Sequence, residues 1–113
     1  MRPLFHPSIE DVRLEAVLHA LSDPVRVALF ANLASTDGAQ TCQALASFND
    51  KPIPKSSLSQ HFKVLREAGL IRSERQGVEM RNVSRCPEIE ARFPGLLPSI
   101  LAAYAAESNR KAA

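Results

Sequence analysis

A mainly helical domain carrying one small β-hairpin is the fold class this sequence predicts, and three observations predict it. Apolar residues recur at three- and four-residue spacing in separate stretches between Ser8 and Ala68. That spacing gives way to a glycine-centred, strand-like stretch between Ile71 and Ser84, then returns near Pro87. The chain has 113 residues, 45% of them hydrophobic and 23% charged, which suits one domain (1–113) with one modest core. With no Trp, one Tyr and five Phe, aliphatic side chains must supply most of the burial.

The elements follow in order. Residues 1–7 read as an N-terminal arm. Ser8 is the expected cap of a first helix over about 8–21, with Glu10 and Asp11 in its first turn. Leu14, Val17, Leu18 and Leu21 mark one buried face of it. Asp23 as cap and Pro24 at the first helical position restart the chain. Residues 24–34 are apolar nearly all round, which predicts a central helix covered by several neighbours. Thr36-Asp37-Gly38 reads as a turn, and Thr41 as the cap of a short third helix containing Ala44, Leu45 and Phe48. Asn49–Pro54 is a loop stiffened by two prolines. A fourth helix runs from about 55 to 68 and is stopped by Gly69, with Leu70 placed for the closing apolar contact. The stretch 71–84 is a hairpin turning near Gln76-Gly77. A last helical region over about 87–108 is interrupted at Pro94-Gly95, and the tail from Asn109 is expected to fray.

The order is α-α-α-α-β-β-α. Two helices meeting at a short turn and followed by a hairpin make a winged helix-turn-helix. In that arrangement the helix at 55–68 enters a major groove. Taking 100° per residue, Leu58, Phe62 and Leu65 share one face, and Ser56, Gln60, Lys63 and Glu67 lie opposite. Ser57 and Ser59 flank the outer face, and His61 sits at its boundary. Three serines are poor helix formers compared with the Glu and Lys of an ordinary surface helix, so something other than helix stability selects them. Short serines permit close approach, Gln60 has the geometry for adenine, and Lys63 and Lys55 reach phosphate or guanine. Arg75, Gln76 and Arg81 on the hairpin can straddle the backbone or enter a minor groove. The same charges also discourage edge-to-edge aggregation.

Charge distribution agrees. The chain carries +2 overall, but residues 51–85 hold eight basic groups against three acidic ones, +5, which leaves the rest at −3. A basic block on an acidic remainder is what polyanion binding needs. The sequence shows no Cys-His pair at useful spacing, no Gly-rich phosphate loop and no metal cluster, so an enzyme is not expected and no cofactor is implied. No run reaches the roughly 20 apolar residues of a membrane span, and residues 1–7 lack the apolar core of a secretory leader. A cytoplasmic protein without a membrane partner, with Cys42 and Cys86 reduced, is the expectation.

Leu18-His-Ala-Leu-Ser-Asp-Pro-Val-Arg-Val-Ala-Leu-Phe30 and Ser57-Leu-Ser-Gln-His-Phe-Lys-Val-Leu-Arg-Glu-Ala-Gly-Leu-Ile71 together resemble the ArsR family of bacterial winged-helix repressors. The resemblance covers roughly residues 8–108. It implies a homodimer joined through first and last helices, binding a palindromic double-stranded operator and released by a small-molecule effector. Leu14, Val17, Leu18, Leu97, Ile100, Leu101 and Tyr104 would line that dimer interface, although the same faces could complete a monomeric core. Metal-sensing relatives carry a Cys-x-Cys type motif that Thr41-Cys42-Gln43 does not reproduce, so no metal is expected. His19, inside the first motif, is expected to be packed. Some relatives sense oxidants with two cysteines, which keeps a thiol-redox repressor using Cys42 and Cys86 as one alternative. The other is a winged helix that binds a protein partner rather than DNA.

Overall fold

In the computed structural model the described residues are 4–36, 38–47 and 51–112, excluding the side chains of residues 111 and 112. The expectations for Asp37, Phe48, Asn49, Asp50 and the start of the arm lie outside them.

Asp23 and Pro24 start the helix around which the rest packs. The Asp23 carboxylate accepts the Val25 and Arg26 amides at 2.8 and 3.1 Å, and Pro24 opens α2 (Pro24–Ala34). Val27, Leu29, Phe30 and Leu33 of α2 are buried, and the helix meets α3 (Cys42–Ala46), α4 (Lys55–Glu67) and the sheet. An apolar surface on nearly every side thus finds a neighbour on nearly every side.

The first helical region is shorter than its sequence suggests. A 3-10 turn at Ile9–Asp11 precedes α1 (Leu14–Ala20), and no amide is capped by Ser8, whose hydroxyl instead donates to Asp11 Oδ2 at 3.0 Å. Val12 breaks the run in extended conformation, φ −70° and ψ 129°. The reason is tertiary: its side chain is buried against Gly69, and its carbonyl accepts Arg92 Nε at 2.9 Å. The expected apolar stripe is split as well. Val17 and Leu21 are buried, while Leu14 and Leu18 are 39% and 47% exposed. His19, expected to be packed, is exposed, and its carbonyl accepts the Ser22 hydroxyl at 2.6 Å.

Thr41 Oγ1 accepts the Ala44 amide at 3.1 Å and starts α3. Pro54 offers α4 no side-chain cap; the helix begins with the Leu58 amide on the Pro54 carbonyl at 2.9 Å. Its end is tightly closed. The Gly69 amide donates to Arg66 and the Leu70 amide to Leu65, both at 3.1 Å, with Gly69 at φ 87°. This two-bond closure needs a left-handed residue, which glycine adopts without a side-chain penalty.

Strands β2 (Ile71–Gln76) and β3 (Glu79–Ser84) pair antiparallel from Ile71–Ser84 to Gln76–Glu79. Two residues turn the hairpin, Gly77 with φ 65° and Val78 without a positive φ, which matches a type II′ turn. A third strand, β1 (Gln40–Thr41), pairs with β3 and was not legible in the sequence because it is two residues long and merges into the α3 cap. Asn82, fully buried, joins the three strands. Its Oδ1 accepts the Ser73 hydroxyl at 2.7 Å, and its amide nitrogen faces the Gln40 carbonyl at 3.2 Å. A buried polar group satisfied from both sides fixes register as well as contributing energy.

Helices α5 (Cys86–Arg92) and α6 (Leu96–Ala112) meet at Pro94-Gly95 as expected. Helix α6 runs on past Asn109 to Ala112. Phe30, Leu45, Leu65, Leu70, Ile71 and Ile89 form the solvent-free centre beneath α4 and the sheet. Each such side chain contributes about 1.5–3 kcal/mol on burial.

Candidate nucleic-acid interface

The wheel reading of α4 agrees with its burial. Phe62 and Leu65 are buried and Leu58 is half-buried, while Lys55, Ser56, Ser59, Gln60, Lys63 and Glu67 are exposed. Ser57 is half-buried at the flank. The helix is therefore held by its back, and its front presents small polar and basic groups with one carboxylate at the far end.

His61 is half-buried, and its Nδ1 lies out of solvent with no hydrogen-bond partner among the described residues. It sits close to Asp23. Burial raises the Asp23 pKa, but the Arg26 and Val25 amides, the Arg26 guanidinium and His61 together hold it below its ordinary value. His61 thus belongs to the junction of α2 and α4 more than to the exposed front.

Cross-strand pairing sorts the hairpin residues by face. Arg75 pairs with Met80 and shares a face with the inward-pointing Ser73–Asn82 pair; Arg72, Glu74, Gln76 and Arg81 lie on the other. Arg75 and Gln76 are exposed near the turn. Arg81 is half-buried and engaged: it contacts Glu79 at 3.4 Å, and its Nε is buried without a hydrogen-bond partner among the described residues.

The basic block is less uniform than charge counting implies. Arg85, 3% exposed, donates Nε and Nη2 to the Glu88 carboxylate at 2.8 and 3.0 Å and Nη1 to the Pro7 carbonyl at 2.8 Å. Arg72 reaches the same carboxylate at 3.4 Å. Two of the eight basic groups are therefore committed to α5 and the N-terminal segment, away from the front of α4. The pairing was readable only as an i, i+3 spacing from Arg85 to Glu88. Another unforeseen contact ties down the arm: the Ser73 amide donates to His6 Nε2 at 2.9 Å.

The residues expected at a dimer interface fall into three groups. Leu14 and Leu18 are exposed; Ile100, Leu101 and Tyr104 are half-buried; Val17 and Leu97 lie inside the chain's own core. Leu101 and Tyr104 also line a shallow groove with Ala31 and Ala34 of α2.

Both cysteines are free. Burial pushes the Cys42 thiol pKa up, against the smaller opposing effects of the Asn82 side chain and Arg66. That direction disfavours the thiolate on which oxidation depends. Among the described residues no group of three His, Cys, Asp or Glu side chains could hold a metal ion, and no helix is long and apolar enough to cross a membrane.

Residues 21–74 match a helix-turn-helix domain family. A search of curated proteins gives no match. Among solved structures, an ArsR family transcriptional regulator is 27% identical, covering 86% of this chain and 92% of that one with a TM-score of 0.58. An ArsR-like transcriptional regulator from Rhodococcus sp. RHA1 is 26% identical, covering 87% and 84% with a TM-score of 0.56. The transcriptional repressor BigR from Xylella fastidiosa, 24% identical over 71% of this chain and 85% of its own, shares the fold with a TM-score of 0.56.

Proposed function

We propose that the chain is a winged helix-turn-helix transcriptional regulator of the ArsR type, a homodimeric repressor reading a palindromic operator through α4; the helix-turn-helix match over residues 21–74 and the likeness to solved ArsR family regulators support this reading. The observation that carries the proposal is the division of α4: Phe62 and Leu65 are buried, and Ser56, Gln60 and Lys63 are exposed directly opposite. Gln60 is assigned to base edges, Lys55 and Lys63 to phosphate or guanine, and Ser56, Ser57 and Ser59 to close backbone contact. Arg75 and Gln76 reach the flanking backbone from the hairpin, with Arg81 supporting them and His61 at the margin. Leu14 and Leu18 of α1, with Ile100, Leu101 and Tyr104 of α6, supply the apolar surface for a second copy. The protein works in the cytoplasm, where the operator is.

Selection of bound sequences from random duplexes tests this reading. The expected product is an inverted repeat whose half-sites lie about one helical turn apart. A pool with no enriched repeat would favour a protein partner instead.

A further inference from the structure

Between the inner face of the hairpin and α4 lies a cleft of about 460 Å³, within the roughly 300–1,000 Å³ of small-molecule sites. Leu58 and Phe62 of α4 and Met80 of β3 give it apolar walls. Lys55, Arg66 and Arg75 line it too, and none of its lining residues is acidic. None of these three cations makes an ion pair among the described residues. Arg66 is the telling one, because it is half-buried at the flank of α4, between the front of the helix and the sheet. A half-buried guanidinium without a counter-charge favours an anion, and its planar fork suits a carboxylate.

We propose that this cleft binds a small amphipathic carboxylate, with its apolar body against Leu58, Phe62 and Met80 and its carboxylate on Arg66 and Arg75. A nucleic-acid backbone would satisfy the cations but leave the apolar walls wet, so the lining is accounted for by a ligand with a hydrocarbon body. Occupancy has a consequence that rests on the DNA-binding reading above. Lys55, Ser59 and Arg75 belong to both surfaces, so carboxylate and operator compete, and the ligand acts as an inducer without any distant conformational signal.

The test is titration calorimetry of the full chain with decanoate and with 4-phenylbutyrate, against 4-phenylbutyramide and inorganic phosphate. At least one carboxylate is expected to bind saturably with one site per chain, ten-fold or more tighter than the neutral amide or phosphate. Arg66→Gln should weaken it at least ten-fold and Arg66→Lys should restore part of the loss, with thermal melting confirming that both variants fold. Absence of binding by both carboxylates, equal binding of the amide, or indifference to Arg66→Gln overturns the site. Because calorimetry needs no DNA, a carboxylate that binds a chain selecting no duplex upholds the cleft and sinks the regulator reading. A selected duplex with no carboxylate binding does the reverse. A carboxylate that binds yet leaves the duplex bound at saturation overturns the competition.

Discussion

Arg85 and Glu88 meet at two points across the first turn of α5, with Nε to Oε2 at 2.8 Å and Nη2 to Oε1 at 3.0 Å. The arginine side chain is 2% exposed and the glutamate side chain 37%. Through Arg85 Nη1 on the Pro7 carbonyl, the same pair fastens the N-terminal segment to α5.

Glu88→Gln should therefore destabilise the fold, because it leaves a buried guanidinium without its counter-charge. The expected loss is roughly 1–3 kcal/mol, below the 3–5 kcal/mol of a fully buried pair since Glu88 is partly in water. Urea unfolding measures it. A midpoint equal to the wild type's would show that the clamp contributes nothing.

The same region makes stability fall in acid. Burial, then the charges of Arg72, Arg66 and Arg85, holds the His6 pKa below its ordinary 6.5. The neutral ring accepts the Ser73 amide, so its contribution is complete above pH 6.5 and is lost as pH falls through the lower folded value. Glu88, whose pKa is held below 4.5 chiefly by the Arg85 hydrogen bond, contributes above that value and loses its share further into acid. Unfolding free energies between pH 8 and pH 3 should decline in two stages, and His6→Ala should remove the first. A His6→Ala profile that superimposes on the wild type's would refute the assignment.

Gly69 and Gly95 should respond unequally to alanine. Both have left-handed φ, 87° and 82°. A β-carbon at Gly69 would collide with the Val12 side chain, whereas one at Gly95 meets nothing within 4 Å. Gly95→Ala should cost about 1 kcal/mol of backbone strain. Gly69→Ala should cost roughly 1–3 kcal/mol more through forced repacking. Equal thermal shifts for the two variants would show that Val12 yields freely.

What the sequence made legible was local. Asp23-Pro24 announces α2, Gly69 ends α4, and Gly77 turns the hairpin, because each device acts within a few residues of the element it governs. What it hid was held by distant partners. The break at Val12 exists for Gly69, 57 positions away by the numbering, and the His6–Ser73 bond spans 67. No periodicity carries such information. The front of α4 was readable because a helix wheel needs only one element; the loss of Arg72 and Arg85 to Glu88 was not, because charge counting ignores direction. Val17 and Leu97 make the same point: apolar spacing cannot tell a core from an interface.

The central claim is that the exposed front of α4 reads DNA. Its most direct test is operator binding by wild type, Gln60→Ala and Lys63→Ala across a salt series. Lys63→Ala should weaken binding to every sequence and lower the salt slope by about one, as loss of one phosphate contact requires. Gln60→Ala should cost roughly 1–3 kcal/mol on the operator and relax base preference at one position of each half-site, with the slope unchanged. A Gln60→Ala/Lys63→Ala double variant that protects the operator as the wild type does, with the same salt slope, would contradict the account.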